Sequence, residues 1–201
     1  MQSRNLMSRS SVLLVGLFFI TTISLFGQKN QDKLDIQVTF DKYFYAKNSG
    51  HMDDYVEFMH PQIFNNVPKD SFIYMLQQLQ SDTSVKLDIE SLESISKIYK
   101  RNKIKYALVS YSQRLTFDFY DIKEEGGASY VIQLMLIQLV EDHGKDNVIF
   151  DEEIYQIIIN MENQMYLVLD PKYNGWKFLS KDAYMSPYFE LIIPKEIRKK
   201  I

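Results

Sequence analysis

The stretch from Met161 to Ser180 constrains the fold more than any other part of this chain, because it has the pattern of a β-hairpin. Its side chains alternate between two sides with the two-residue period of a strand, Met165, Leu167 and Leu169 against Tyr166 and Val168. Turn-forming pairs follow at Asp170-Pro171 and Asn174-Gly175, and the alternation resumes at Trp176. An isolated hairpin is not stable, so the other elements must close a core with it.

Three amphipathic helices are predicted ahead of the strands. The first spans Asp32 to Lys47, and Gly50 is its expected left-handed cap. The second spans Met52 to Met59. The third starts at Pro68 and continues through Gln80. Their inward residues are predicted from helical spacing as Ile36, Phe40, Tyr43 and Phe44, then Met52, Tyr55, Val56 and Met59, then Phe72, Met75, Leu76 and Leu79.

Strands are predicted over Val85–Tyr99, with a bulge or bend after Ile89, and over Ile104–Phe119 and Asn147–Met161. Residues 129–141 are apolar on nearly all sides, and their β-branched side chains are compatible with a strand. Their length, their leucines and methionines and the following Asp142-His143-Gly144 favour a buried helix, which is our prediction. Pro194 is expected to open a last helical turn.

The N-terminus has the pattern of a signal peptide. Arg4 and Arg9 precede an apolar run that reaches Phe26, and cleavage is expected after Gly27. Residues 1–27 are therefore assigned as a signal peptide, 28–201 as a single domain, and the protein as exported, either periplasmic or secreted. Leu25 is the third residue before the expected cleavage site, where signal peptides usually have a small residue. This departure leaves an uncleaved membrane anchor as the alternative.

Composition excludes several classes of function. The chain contains no cysteine, which excludes disulfides, thiolate metal sites, cysteine nucleophiles and a lipid-modified N-terminus. Loss of the two arginines of the signal peptide takes the formal net charge from −3 to −5. An acidic chain with scattered lysines lacks the basic surface that nucleic acids require, so no nucleic-acid partner is expected.

Four short stretches resemble the nuclear-transport-factor-2-like superfamily. They are residues 40–46, with the sequence FDKYFYA, residues 50–55, GHMDDY, residues 61–64, PQIF, and residues 175–178, GWKF. The resemblance covers about residues 32–180 and implies a cone-like α+β fold, related to cystatin-like folds, with helices packed on a curved antiparallel sheet. The helix at 129–141 would be an addition to that pattern. With the Phe-Gly-Gln end of the signal peptide, the chain also resembles small exported proteins of Bacteroidetes-type bacteria.

The resemblance implies a pocket between helices and sheet. Some members resemble ketosteroid isomerases, polyketide cyclases or dehydratases, which place an Asp/His or Asp/Tyr set in that pocket, whereas others only dimerise or bind a partner. No such catalytic set maps onto this sequence residue by residue.

Aromatic side chains follow the central strands and give the candidate ligand-binding residues. Alternation sends half of them into a core and half to the other face, where they could line an apolar cleft or form a dimer face. The candidates are Tyr106, Tyr111, Phe117 and Phe119.

Several acidic residues and histidines are candidates for catalytic or metal-binding groups. Asp54 and Asp118 are candidate general bases, although Asp54 suits a helix first turn and Asp118 suits a turn at a strand end. Glu57 and His60 have ligand spacing on a helix, but one such pair does not make a metal site, and surface polar residues are the simpler interpretation. His51 is interpreted as a helix cap and His143 as a solvated turn residue.

These observations favour a binding module over an enzyme. The leading hypothesis is an apolar cleft that takes a small apolar ligand or a protein partner, in a homodimer, without metal or cofactor. A small isomerase or lyase with a buried Asp base is the first alternative, and a structural accessory domain of an envelope complex is the second.

Overall fold

The computed structural model describes residues 31–123, 128–181 and 185–201. The predicted signal peptide and the polar loop at 124–127 lie outside the described residues. The chain divides into two units, Met1–Val38 and Thr39–Ile201. In the first unit, residues 31–38 are helical. Among the described residues, no helix combines the length and apolarity needed to cross a lipid bilayer.

The helical elements follow the predicted order. Residues 31–48 are helical and are called α1, followed by α2 (Met52–Glu57), a 3-10 helix (Pro61–Asn65) and α3 (Lys69–Ser81). The additional helix α4 spans Ala128–His143, and α5 (Ser186–Ile192) and α6 (Lys195–Arg198) end the chain. Gly50 has the left-handed φ of +75° expected after α1, and Pro194 precedes α6. No sequence signal had indicated α5.

In the part of the chain that the structure describes, six antiparallel strands form one sheet. They are β1 (Val85–Ile95), β2 (Tyr99–Arg101), β3 (Ile104–Asp118), β4 (Val148–Asp151), β5 (Gln156–Leu169) and β6 (Lys177–Ser180). The order is β1-β3-β5-β4, with β2 beside β3 and β6 beside β5. The fold class is therefore α+β, as predicted. The predicted hairpin is formed by β5 and β6, in which Leu167 is opposite Phe178.

One face of this sheet carries the N-terminal helices and α4 at different positions. Near one end, Phe40 and Tyr43 of α1 contact Tyr111 of β3 and Phe178 of β6. Further along, Ile132 of α4 forms a core cluster with two isoleucines of β5. The stretch of sheet between these two contacts is where a cavity opens.

The other face is covered over part of its length by the C-terminal helices. Tyr106 and Leu108 of β3 cluster there with Ile193 and Ile197 at the C-terminus and with Ile63 of the 3-10 helix. Even-numbered and odd-numbered residues of β3 therefore enter different cores, as a two-residue period requires.

Three local predictions were wrong. The strand predicted over Asn147–Met161 is two strands, because residues 152–155 turn the chain and Tyr155 has a φ of +58°. The strand predicted to reach Tyr99 ends at Ile95, and β2 is a separate strand. Met75 and Leu79 of α3 are exposed, since α3 buries Ile73 instead. The bulge predicted after Ile89 is confirmed by a shift of register between Ile89 and Ser91.

Candidate functional site

The candidate site is a cavity of about 720 Å³ on the face of the sheet that α1 covers. Its floor is formed by β1, β3 and β5, and its walls by α1, α2 and the end of β6. The cavity reaches residues 161–164 of β5, which lie between the residues that pair with β4 and those that pair with β6. On the edge of β5 away from β3, neither β4 nor β6 pairs with this stretch, whereas its pairing with β3 is continuous.

Tyrosines form one wall of the cavity. The hydroxyl oxygens of Tyr43 and Tyr55 lie 3.1 Å apart, which joins α1 to α2 by a hydrogen bond. The Tyr43 ring stacks on Phe178, with ring centroids 4.6 Å apart, and is buried. Tyr111 of the floor is buried as well and lies against Phe40. Packed rings hold these hydroxyl-bearing side chains in fixed positions, a requirement for specific polar recognition.

Lys47 follows Tyr43 by one helical turn, so both side chains lie on the same face of α1. Its Nζ donates a hydrogen bond to the carbonyl oxygen of Leu87, at 3.5 Å. Burial lowers the pKa of Lys47 below that of an ordinary lysine, and the nearby Asp88 carboxylate partly offsets this effect. The cavity wall thus carries an incompletely hydrated amine beside a tyrosine pair.

Amide groups and a second lysine line the far end of the cavity. Asn163 donates to the side-chain oxygen of Gln113 across β5 and β3, at 3.3 Å. Lys181, just beyond β6, donates from Nζ to the side-chain oxygen of Gln164, at 2.7 Å. Apolar contact area is supplied by Leu87, Ile89 and Met161. The lining therefore mixes hydrogen-bonding groups with apolar side chains.

A second cavity, of about 630 Å³, lies next to the first and shares Met161, Glu162 and Asn163 with it. It extends to the end of α4 at Asp142 and His143. Among the described residues, no group of three or more histidine, aspartate or glutamate side chains could hold a metal ion.

The predicted ligand-binding residues fall in three different places. Tyr111 lines the cavity. Tyr106 lies in the core on the opposite face of the sheet, where burial raises its pKa. Phe117 and Phe119 stack on each other and pack against the cluster beneath α4. Alternation along β3 separates Tyr106 from Tyr111, and the position of α4, which no periodicity reveals, removes the two phenylalanines from the cavity.

The candidate bases lie outside this cavity. Asp54 is exposed in the first turn of α2, beside a separate groove of about 450 Å³. Asp118, the last residue of β3, accepts a hydrogen bond from the backbone N–H of Tyr120 and another from the side chain of Gln156, the first residue of β5. Its role in this structure is to stabilise a turn. Asp54 is exposed and Asp118 is half-buried, so neither is the fully buried base of the enzyme hypothesis.

The predicted surface position of His60 is wrong. His60 is a buried residue and not a surface one, with 3% exposure, and its Nδ1 accepts a hydrogen bond from the N–H of Gln62 at 3.4 Å. Burial lowers its pKa to about 4. Glu57 instead forms an exposed ion pair with Lys69. The side chain of His51 makes no capping hydrogen bond in α2.

The signals that sequence reasoning missed were Lys47 and the pair Tyr43 and Tyr55. The i, i+4 spacing of Tyr43 and Lys47 on a predicted helix was visible, but which strand faces that helix was not. Lys47 was assigned to the helix end without a role.

Comparisons with known proteins add a structural likeness. No family model matches the sequence, and no curated protein matches it. Among solved structures, the chain is similar to a proposed dehydratase of the nuclear-transport-factor-2-like family from Streptomyces avermitilis, with 9% sequence identity and a TM-score of 0.36, over 75% of this chain and 93% of that one.

Proposed function

We propose that this protein is a binding module whose cavity takes a small amphipathic molecule with an acidic oxygen in its head group. Lys47 would bind that oxygen as a cation, and the hydroxyl pair of Tyr43 and Tyr55 would supply hydrogen bonds. The apolar part of the ligand would contact Leu87, Ile89 and Met161. This proposal replaces the purely apolar ligand expected from the sequence, because the cavity lining is partly polar.

The observation that carries the proposal is the position of Lys47. An ammonium group that is partly removed from water, with a lowered pKa, gains free energy when an anionic group comes within hydrogen-bonding distance. The carbonyl of Leu87, at 3.5 Å, is a long and weak partner for such a cation. A carboxylate or a similar acidic group would bind it more strongly.

The volume of the cavity agrees with a ligand of this class. About 720 Å³ falls within the range of ligand pockets in proteins, which bury most of the surface of a molecule the size of a drug. The lining combines the aliphatic contacts of Leu87, Ile89 and Met161 with more polar groups than such sites usually carry, which favours a ligand with a polar head group.

Calorimetric titration tests the proposal with three ligands that share a ten-carbon chain: decanoate, decanol and decylamine. We expect decanoate to bind most tightly. Lys47→Met should weaken decanoate binding about tenfold or more and leave decanol unaffected, since only the charged pair is lost. Lys145→Met is the matched control, because Lys145 is exposed in the turn after α4. Equal binding of all three ligands, or no effect of Lys47→Met, would argue against the assigned head group.

The N-terminal segment supports a location outside the cytoplasm, which we also propose. Residues 1–27 have the charge and apolar pattern of a signal peptide, as given above. Fractionation of the producing cells and N-terminal sequencing test this. A chain that begins at Gln28 in the exported fraction is the expected result, and an intact Met1 in the membrane fraction would support the anchor alternative.

A further inference from the structure

Helix α4 has two apolar faces, and the sheet covers one of them. Ile132 is buried against Ile157 and Ile159, and Met135, Leu136 and Leu139 pack around the same cluster. The opposite face is in solvent: Tyr130 is 65% exposed, Leu134 50% and Ile137 66%. These three residues follow the i, i+4, i+7 spacing of a continuous stripe. An exposed apolar stripe of this kind marks an interaction surface.

The charge pattern of α4 restricts the partner. No residue from Ala128 to Val140 is charged, and the first charges, Glu141 and Asp142, are acidic. A helix that lies on a membrane surface carries lysine and arginine along its polar border, which α4 lacks. The partner surface should therefore be uncharged and apolar, as α4 itself is.

We propose that the outer face of α4 binds α4 of a second copy of this chain, antiparallel, across a two-fold axis. The sequence of the helix is nearly symmetric about the midpoint between Met135 and Leu136. Positions equally distant from that midpoint carry matching residues, namely Val131 and Val140, Gln133 and Gln138, and Leu134 and Ile137. In a two-fold antiparallel helix pair, such positions face each other.

The symmetry of the sequence agrees with the exposed face of the helix. At 100° per residue, Leu134 and Ile137 are about 60° apart around the helix axis, and both point away from the sheet. Leu134 precedes the midpoint of the helix and Ile137 follows it. Leu134 of one copy therefore meets Ile137 of the second copy, and this contact occurs twice. At the ends, Tyr130 meets Glu141, so each tyrosine hydroxyl can donate to a carboxylate. No like charges are brought together at these positions.

Measurement of mass in solution tests the proposal. By sedimentation velocity, the full chain should have the mass of two copies at high concentration, and Ile137→Glu should raise the dissociation constant about tenfold or more, since a carboxylate would enter the apolar contact. Leu79→Glu is the matched control, because Leu79 is 64% exposed on α3. It should leave the dimer unchanged. Circular dichroism of each variant verifies that the fold is retained.

Disulfide trapping tests the antiparallel register independently. The natural chain has no cysteine, so an introduced one reacts without competition. A mixture of the Leu134→Cys variant and the Ile137→Cys variant should form mixed dimers in preference to dimers of either variant alone. A single-copy mass at high concentration, a dimer that survives Ile137→Glu unchanged, or a preference for dimers of one variant would each overturn the proposal. A single-copy mass is also the result expected if another segment of the same chain covers the outer face of α4.

Discussion

The side-chain amide of Asn48 forms two hydrogen bonds with the backbone of Ile89, 41 residues later in the chain. Its Nδ2 donates to the Ile89 carbonyl at 2.7 Å, and its Oδ1 accepts from the Ile89 N–H at 3.1 Å. The amide thus occupies the place of a neighbouring strand at the free edge of β1. Because Lys47 precedes Asn48 and bonds to Leu87, the same contact positions the wall of the cavity.

Replacement of Asn48 by alanine should weaken both stability and ligand binding. Loss of two bonds to a partly buried backbone is expected to lower the free energy of unfolding by about 1–3 kcal/mol. Denaturant titration measures this change, and Asn66→Ala is the control, since Asn66 is exposed after the 3-10 helix. Decanoate binding should weaken in Asn48→Ala and remain unchanged in Asn66→Ala. Unchanged stability would show that water replaces the amide without cost.

His60 should make the protein sensitive to acid. In the folded state its pKa is lowered to about 4 from 6.5, chiefly because it is buried. Between these values the unfolded chain binds more protons, so stability is complete above pH 6.5 and is lost as pH falls toward 4. The loss attributable to His60 should approach about 3 kcal/mol.

Denaturant titrations from pH 7 to pH 4 compare the natural protein with His60→Asn, in which Oδ1 replaces the Nδ1 acceptor. The variant should lose less stability over this interval. His51→Asn is the control, since His51 is exposed, and it should follow the natural protein. An identical pH profile for His60→Asn would refute the assignment.

Two glycines with left-handed backbone should differ in their tolerance of alanine. Gly175 has a φ of +72° and open space around it, so Gly175→Ala should cost about 1 kcal/mol from backbone strain alone. Gly50 has a φ of +75°, and a Cβ there would lie 2.8 Å from Nε2 of Gln80. Gly50→Ala should cost more than Gly175→Ala. Addition of Gln80→Ala should remove the excess, and thermal unfolding of the three variants measures it.

Lys47 should react with acylating reagents ahead of the exposed lysines. Its lowered pKa gives it more neutral amine near pH 8 than an ordinary lysine has, and the neutral amine is the nucleophile. Limited treatment with acetic anhydride, followed by peptide mass spectrometry, measures the rate relative to Lys145. Decanoate should protect Lys47 and not Lys145. Slower acylation of Lys47 without ligand would show that the amine is inaccessible.

Local patterns predicted the larger elements well. The apolar run at 129–141 is a helix, as length and composition indicated, and the alternation at Ile104–Phe119 is a strand that ends one residue earlier. The turn at residues 152–155 was missed because Ile154 and Tyr155 are β-branched or aromatic and continue the strand composition. A positive φ at Tyr155 is a conformation that local propensity does not predict.

Sequence by itself determined where most of the larger helices and strands lie, since apolar periodicity and turn residues act over a few neighbouring positions. It also determined the symmetry of α4 about its midpoint. Tertiary structure alone decided that Tyr43, Tyr55, Lys47 and Tyr111 meet around one cavity, and that Phe117 and Phe119 lie beneath α4 instead. Those contacts join elements that are far apart in the chain, and their energies depend on burial and strand register, which no local pattern contains.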